Sequence, residues 1–530
     1  MVANAALKGL DAMAEEERER SLRLTWSGRF LAPIVAIAVY ATLHALAPDL
    51  GEEGRATAAI GALMAVLWIT EALPLPVTAL IPVALFPLAG VLSISEATAP
   101  YASDVIFLFL GGFIIALAIE RWGLHRRIAW WIIRMVGTRP TQITAGVMAA
   151  TGFISMWISN TATTLMMLPI ATSVINLVAT QLAHRGNGNP VSTADAPSGA
   201  TTSFAPRFAT GLMLGTGYAA SIGSVGTLIG TPPNLLMRGY LEETYGIVIG
   251  FGEWMLVGVP LAVVFMVLTW LLLTQVFFRP EIDRIPGGRE LIAEELRRMG
   301  PMSRGERVAA TVFVITAALW IGREPLQNWD WLVARVPAIT GLTDAGIAVI
   351  AAIALFAIPV DVRNGVQAMD WETARRVPWN VLLLFGGGLS LAEGMQASGL
   401  DIWIGERVAG LGTLPPVVLV AIVCLVVTFL SELMSNTALA ATFFPVVGGI
   451  AVASDIEPLL LVVPAALAAT FAFMMPVGTP PNAIVFSSGY VTIKQMATIG
   501  IWLNVLGTAL ITLTTVTLAA WLLGGTGGTP

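Results

Sequence analysis

The tripeptide Ser159-Asn160-Thr161 recurs at Ser435-Asn436-Thr437, and each copy precedes a Gly-Thr-Pro-Pro-Asn run, at 230–234 and 478–482. Five identical residues that recur downstream of the same polar tripeptide, inside otherwise apolar sequence, indicate an internal duplication. The two copies therefore predict two related half-sites that face one another.

The duplication extends beyond these motifs. The tripeptides are in register at an offset of 276 residues (159 to 435), and the pentapeptides at 248 (230 to 478). The larger offset also pairs Phe109-Leu110-Gly111-Gly112 with Phe385-Gly386-Gly387-Gly388, Gly123-Leu124 with Gly399-Leu400, Phe153 with Phe429, Ser155 with Ser431, and Pro169 with Pro445. The offsets differ by 28 residues, most of which a polar stretch at 184–207 would supply, and we interpret that stretch as a loop insertion in the first half.

The composition is that of a polytopic membrane protein. Hydrophobic residues make up 56% of the chain and charged residues 12%, with a mean hydropathy of +0.80, whereas soluble domains are about 25% charged. We expect an all-α, multi-pass membrane protein with two inverted repeats and broken helices. The predicted division is a cytoplasmic N-terminal segment 1–28, a first transmembrane helix and loop 29–54, repeat 1 at 55–278, a cytoplasmic connector 279–307, a linking transmembrane segment and loop 308–344, and repeat 2 at 345–525.

Arginine placement indicates that the repeats are inverted. The region 121–139 contains five arginines, whereas its counterpart at 397–415 contains only Arg407, beside Asp401 and Glu406. Because positive charge favours the cytoplasmic side, these equivalent regions are predicted on opposite faces of the membrane.

The motifs interrupt the apolar sequence at equivalent places in both halves. Proline lacks a backbone donor and disfavours helix in the residue before it, so broken helices are expected. In a bilayer such breaks persist only where they are buried in protein or line a polar cavity. Hydroxyl and amide groups there can donate to a carboxylate and also direct oxygens at a cation.

Basic residues are missing around the motifs. Neither Arg nor Lys occurs in segments 140–183, 208–237, 416–454 and 464–493. An anion bound there would be buried without a compensating charge, which is very costly. We therefore predict that sodium binds first and the anion follows. The alternative, that Ser, Asn and Thr only hydrogen-bond helices together, is disfavoured by the duplication in register.

Four carboxylates within apolar segments also require interpretation: Glu71, Glu120, Glu393 and Glu432. Glu432 lies beside Ser431, but its counterpart in the first half is Met156, so we favour local structural support over a proton relay. For Glu71, a structural brace and a functional ion pair remain equally open.

Other function classes lack support. Cys424 is the single cysteine and the three histidines are isolated, which argues against disulfides and a zinc or iron site. No phosphate-binding Walker sequence is present, the duplicated motifs lack the clustered His, Asp or Cys of an intramembrane enzyme, and broken helices favour a carrier over a channel. We expect no enzyme activity, no organic cofactor and no nucleic-acid partner.

The run Ser-Met-Trp-Ile-Ser-Asn-Thr-Ala-Thr-Thr at 155–164, with Met-Met-Leu-Pro at 166–169, resembles the divalent anion/sodium symporter family, in its bacterial dicarboxylate branch. The resemblance covers about residues 55 to 525. It implies a homodimer in the bacterial inner membrane, whose protomers have a scaffold domain and a transport domain. It also implies about eleven transmembrane helices, two re-entrant helical hairpins and an elevator movement.

The resemblance also implies site residues. A first sodium site would use Ser155, Ser159, Asn160 and Gly223, and a second would use Ser431, Met434, Asn436 and Gly478. Substrate carboxylates would meet Ser159, Asn160 and Thr161 from one side and Ser435, Asn436 and Thr437 from the other, with Thr479 and Pro480 nearby. Relatives can have threonine in place of Ser431, which retains the hydroxyl.

The expected function is sodium-coupled symport of C4-dicarboxylates such as succinate, malate and fumarate. Two opposed donor clusters suit two carboxylates, and no fixed cation is available for a third. A sodium-independent dicarboxylate exchanger and a sodium-coupled carrier of citrate or sulfate remain alternatives.

Overall fold

The computed structural model is helical and describes residues 27–186, 206–282, 285, 287–408 and 414–522. Most of the N-terminal segment 1–28 and of the predicted loop 184–207 therefore lies outside the described residues. The helices are α1 Ser27–Leu46, α2 Glu52–Thr70, α3 Leu75–Thr78, α4 Ile81–Leu88, α5 Ile94–Thr98, α6 Asp104–Arg121, α7 Leu124–Val136, α8 Pro140–Ser155, α9 Asn160–Gly186, α10 Pro206–Ser224, α11 Pro232–Tyr245, α12 Phe251–Leu271, α13 Gly288–Arg298, α14 Arg304–Gln327, α15 Asp330–Arg335, α16 Asp344–Ala357, α17 Trp371–Ala374, α18 Trp379–Ala397, α19 Leu400–Val408, α20 Pro416–Ser431, α21 Asn436–Ala453, α22 Leu459–Thr470, α23 Pro480–Ser487, α24 Ile493–Thr514 and α25 Ala520–Leu522.

Shorter elements complete the fold. The 3₁₀ turns are Ala99–Ala102 and Pro337–Gly341, and π-helical turns at Leu272–Phe277 and Thr515–Ala519 extend α12 and α24. The strands β1 Pro359–Asp361 and β2 Val366–Gln367 pair antiparallel. This small hairpin is the one departure from the all-α expectation within the described residues.

Seven helical segments in the described residues are long and apolar enough to cross a membrane. Four further apolar helices are shorter: Leu75–Leu88, Asp344–Ala357, Pro416–Ser431 and Leu459–Thr470. The prediction of a helical, multi-pass membrane protein is therefore confirmed.

The duplication is visible in the helix boundaries. Helices α8 and α20 end at Ser155 and Ser431, and α9 and α21 begin at Asn160 and Asn436, so each pair keeps the offset of 276. The helices α1 and α14 also begin 277 residues apart (27 and 304), although the sequence-based division left both outside the repeats.

The first arm of each hairpin is short for a membrane span. Helices α8 and α20 have 16 residues each, which is about 24 Å of helix, whereas the hydrocarbon core is about 30 Å thick. Each is followed by four non-helical residues and then by the second arm. The second arms α9 and α21 are long enough to cross a membrane, so re-entrance of the hairpins stays a prediction.

Proline positions set where the other broken helices resume. Helices α11 and α23 begin at Pro232 and Pro480, the first proline of each Gly-Thr-Pro-Pro-Asn run. The first helical position tolerates proline because its N–H has no partner within the helix. The pentapeptide is therefore a restart signal, placed after α10 in one half and after α22 in the other.

The described residues divide into two compact units. One unit lies within residues 1–103, 379–413 and 437–456. Its central helix is α18, which packs against α2, α3, α4 and α5, and the Ser390 hydroxyl donates to the Ala97 carbonyl at 2.9 Å. Arg407 pairs with Asp49 at 2.7 Å in the same unit.

The other unit lies within residues 104–378, 414–436 and 457–530 and contains both broken helices. Helix α10 is buried on every side from Phe208 to Ser224, and α22 from Leu459 to Thr470 except at Leu460. Helices that are apolar all round belong in a protein interior. The two interrupted helices therefore form the core of this unit.

The predicted connector 279–307 contains the helix α13. The next helix begins earlier than the predicted boundary at 308. Ser303 caps α14 by accepting the N–H of Glu306 at 3.1 Å, and the Glu306 carboxylate accepts the Ser303 N–H at 2.7 Å. This capping box fixes the start of α14 at Arg304.

Candidate functional site

Three oxygen atoms meet where the first hairpin turns. The Ser155 hydroxyl oxygen lies 2.7 Å from the carbonyl oxygen of Ala220 and 3.3 Å from Oδ1 of Asn160. Ser155 is fully buried at the end of α8, Asn160 begins α9, and Ala220 lies near the C-terminal end of α10. We call these three residues the first oxygen corner.

The second half repeats this arrangement. The Ser431 hydroxyl oxygen lies 2.6 Å from the carbonyl oxygen of Ala469 and 2.8 Å from Oδ1 of Asn436. Ser431 is also fully buried. We call Ser431, Asn436 and Ala469 the second oxygen corner. Since a hydroxyl has one proton and two lone pairs, each corner gathers oxygens that suit a hard cation such as sodium.

The carbonyls of Ala220 and Ala469 were missed by sequence reasoning. Every residue has a carbonyl, so nothing in an alanine marks it as a ligand. Ala469 lies in the last turn of α22, where carbonyls lack helical partners and the helix dipole is negative. The available signal was position, because each alanine precedes a predicted helix break.

The remaining residues of the first tripeptide lie at the start of α9. The Ser159 hydroxyl accepts the N–H of Ala162 at 3.4 Å and so caps the helix. Thr161 is half-buried in its first turn. In the second half, Ser435 and Thr437 flank Asn436 and are also half-buried. Helix N-termini of this kind favour anions.

The last residue of each pentapeptide braces the break before it. Nδ2 of Asn234 donates to the Thr227 carbonyl at 2.9 Å, and Nδ2 of Asn482 donates to the carbonyls of Ala472 at 2.9 Å and Met475 at 3.0 Å. Both asparagines are fully buried. Sequence reasoning included them in the motif but assigned them no function. They donate to carbonyls at the helix breaks, of which the Met475 carbonyl also accepts the N–H of Gly478 at 3.1 Å.

The other predicted ligands lie in or beside the breaks. Gly223 packs against the backbone of Gly152, where a Cβ would lie 2.3 Å from the neighbouring Cα, and a Cβ on Gly478 would lie 2.9 Å from Oε2 of Glu432. Met434 is buried in the turn before α21. The Thr479 hydroxyl accepts the N–H of Asn482 at 3.4 Å, and Pro480, which is exposed, starts α23.

The two broken helices contact each other across the repeats. The hydroxyl oxygens of Thr231 and Thr470 lie 3.5 Å apart, and the Tyr218 hydroxyl donates to the Phe473 carbonyl at 3.0 Å. Helix α23 of the second half also packs against α9 of the first. Both breaks therefore belong to one packed core, as two facing half-sites require.

The basic residue closest in sequence to the first pentapeptide is already paired. Arg238 in α11 is 3% exposed. Its guanidinium lies 3.2 Å from Asp344, 3.6 Å from Glu242 and 3.9 Å from Asp104. Its charge is therefore compensated by carboxylates of the protein itself. The sequence segments around both corners contain no Arg or Lys.

Buried broken helices, duplicated around oxygen corners in a multi-pass chain, define a secondary transporter with discontinuous helices. The sequence agrees. Residues 25–524 match the family described as "Sodium:sulfate symporter transmembrane region", and the chain belongs to this family. Membership in a family of transporters agrees with the expectation that the protein is not an enzyme.

Similar proteins include the sodium-dependent dicarboxylate transporter SdcS of Staphylococcus saprophyticus, which is 41% identical over 489 residues, or 92% of this chain and 90% of that protein. SdcS of Staphylococcus aureus (strain bovine RF122) is 40% identical over 491 residues, or 92% of this chain and 89% of that protein.

Two solved transporters share the fold at low sequence identity. The Alcanivorax borkumensis YdaH transporter has a TM-score of 0.51 and 15% identity, over 81% of this chain and 88% of that one. Neisseria gonorrhoeae MtrF has a TM-score of 0.52 and 12% identity, over 84% of this chain and 85% of that one. These similarities concern the fold alone.

Proposed function

We propose that this protein is a secondary transporter that carries C4-dicarboxylates such as succinate, malate and fumarate across the membrane together with sodium. The duplicated oxygen corner carries this proposal, because each copy gathers three oxygens that suit a cation, and the sequence segments around both copies contain no Arg or Lys. Relatives that are 40–41% identical over 92% of the chain are named sodium-dependent dicarboxylate transporters, which supports both the ion and the substrate class.

Coupling follows from electrostatics. A dicarboxylate carries two negative charges, and transfer of an uncompensated ion out of water is very unfavourable. Sodium ions at the two oxygen corners would create positive potential before the anion arrives. The anion then binds well only when the cations are present, and this dependence is the basis of symport.

We assign roles residue by residue within this proposal. The first sodium ion is held by Ser155, Ser159, Asn160 and Gly223, with the Ala220 carbonyl as an added ligand. The second is held by Ser431, Met434, Asn436 and Gly478, with the Ala469 carbonyl. The substrate carboxylates are bound by Ser159, Asn160, Thr161, Ser435, Asn436, Thr437, Thr479 and Pro480.

Assembly and movement remain predictions from the family resemblance. They comprise the homodimer, the scaffold and transport domains, and the elevator movement. Cross-linking of the purified protein in liposomes, followed by mass measurement, would test the dimer. A monomeric mass under all cross-linking conditions would contradict it.

The direct test is uptake of radiolabelled succinate by purified protein in liposomes, with an inward sodium gradient or with choline in its place. We expect saturable uptake that requires sodium and is inhibited by malate and fumarate more strongly than by citrate or sulfate. Uptake without sodium that is accelerated by internal succinate would instead identify an exchanger. No uptake under any condition would overturn the substrate class.

A further inference from the structure

A buried carboxylate belongs to the second half-site alone. Glu432 follows α20 directly and is 3% exposed. It accepts the backbone N–H groups of Phe473 at 2.7 Å, Met474 at 2.9 Å and Met475 at 3.0 Å, and Nδ2 of Asn504 at 2.8 Å. All four partners are donors, so both oxygens act as acceptors, as in an ionised carboxylate.

The first half-site fills the same place without charge. Its residue at the offset of 276 is Met156, whose side chain packs against Gly226, where a Cβ would lie 2.9 Å from the methionine Cε. The Thr227 hydroxyl donates to the Met156 carbonyl. One break is therefore held by a thioether and a hydroxyl, and the other by a carboxylate.

The position of Glu432 couples it to the second oxygen corner. Glu432 is the next residue after Ser431. Its Oε2 also lies close to Gly478, since a Cβ on that glycine would be only 2.9 Å from it. Three consecutive N–H groups of the second break converge on it, and such groups are costly when buried without a partner. A charge in this interior also acts on a nearby cation more strongly than it would in water.

We propose that Glu432 is a positioning residue that fixes the second break and, through its charge, gives the second half-site the higher affinity for the coupling cation. This inference rests on the proposed function, because it requires sodium at the half-sites. It makes the two sites unequal although their serine, asparagine and carbonyl oxygens match.

The test is the sodium dependence of succinate uptake in Glu432→Gln, which keeps the side-chain shape and removes the charge. We expect the half-saturating sodium concentration to rise by about tenfold to thirtyfold. The KM for succinate at saturating sodium should stay within about twofold of the original, since charge on the cation site is not a substrate contact. Glu432→Asp, which keeps the charge with a shorter reach, should give an intermediate value.

The matched control is Glu457→Gln, the same substitution at an exposed position before α22, which should leave the sodium dependence unchanged. If Glu432→Gln does not yield folded protein, Asn504→Ala removes one donor to the carboxylate and should raise the half-saturating sodium concentration by a smaller factor. An unchanged sodium dependence in both variants would overturn the inference. So would a lower maximal rate without a change in sodium affinity, which is the mark of a purely structural role.

The outcomes separate this inference from the function on which it rests. Sodium-dependent uptake by the original protein with normal sodium affinity in the variants rejects only the role of Glu432. Uptake by the original protein that is independent of sodium rejects the proposed function, and the inference with it.

Discussion

Asn160 and Asn436 occupy equivalent corners and have the same two tasks. Each begins the second arm of a hairpin, and each places Oδ1 near the serine hydroxyl that ends the first arm, at 3.3 Å and 2.8 Å. A carboxamide has an acceptor oxygen and two N–H donors. It can therefore face a cation with its oxygen and a carboxylate with its nitrogen.

Replacement of Asn160 or Asn436 by alanine should reduce sodium-dependent succinate uptake by about 100-fold or more, because hydrogen bonds to charged groups are the strong ones. Both variants should elute from a sizing column as the original protein does. The matched control is Asn364→Ala, whose amide contacts only Asp361 in an exposed turn among the described residues. Uptake near the original rate in either site variant would reject the assigned corner.

Residue types alone predicted part of each corner. Repetition in register indicated Asn160 and Asn436, the family resemblance added Ser155 and Ser431 as sodium ligands, and the structure brings each serine and asparagine together. Ala220 and Ala469 could not be predicted, because their function lies in backbone carbonyls and depends on packing between α8 and α10 or α20 and α22. The donors to Glu432 are backbone N–H groups, which are equally invisible in a sequence.

At the scale of elements, close helix packing depends on particular glycines. A Cβ on Gly111 of α6 would lie 2.6 Å from backbone and side-chain atoms of Ala348 in α16, whereas a Cβ on Gly112 would lie 3.4 Å from the Ile229 side chain. Gly111 is therefore a close-packing point between the two helices, whereas Gly112 has ordinary contact distance to its neighbour.

Gly111→Ala should therefore destabilise the protein by about 1–3 kcal/mol, because α6 and α16 must separate to admit the methyl group. Gly112→Ala is the neighbouring control. Its added methyl group would contact the Ile229 side chain at 3.4 Å, and the higher helix propensity of alanine should offset any cost of that contact. Thermal unfolding in detergent, followed by intrinsic fluorescence, measures both. Equal melting temperatures for the two variants would contradict the packing described.

The helix breaks are elements too, and their geometry should depend on the asparagine braces. Asn482→Ala removes the side-chain donor to the carbonyls of Ala472 and Met475. The Met475 carbonyl keeps the Gly478 N–H at 3.1 Å, so the main cost is the buried Ala472 carbonyl, at about 1–3 kcal/mol. We expect a lower melting temperature and a loss of sodium-dependent uptake, and Asn234→Ala should act in the same direction. Retention of both stability and uptake would show that the breaks hold without these amides.

At the scale of the whole molecule, two copies of one structural repeat form a single transporter. The offset of 276 correctly placed the ends of α8 and α20 and the starts of α9 and α21, since proline and the polar tripeptides mark the breaks locally. The contacts of α10 with α23 and of α11 with α22 could not be read from the sequence. They join residues roughly 210–280 positions apart and depend on how buried faces fit.

Ligand binding should stabilise the whole fold. Sodium that binds only the folded protein at about 100 times its dissociation constant adds about 2.7 kcal/mol to the free energy of unfolding. We expect sodium to raise the melting temperature, succinate to raise it further in sodium, and succinate to have no effect in choline. Stabilisation by succinate in choline would show that the acid binds without the cation.

The central claim is that a dicarboxylate binds in this core because sodium ions, and no fixed basic side chain, compensate its charge. A high-resolution density map of the protein with succinate and sodium tests it most directly. We predict cation density at Ser155, Asn160 and Ala220 and at Ser431, Asn436 and Ala469, with succinate held by hydroxyls, amides and helix N-termini. An arginine or lysine in contact with a succinate carboxylate would contradict the claim.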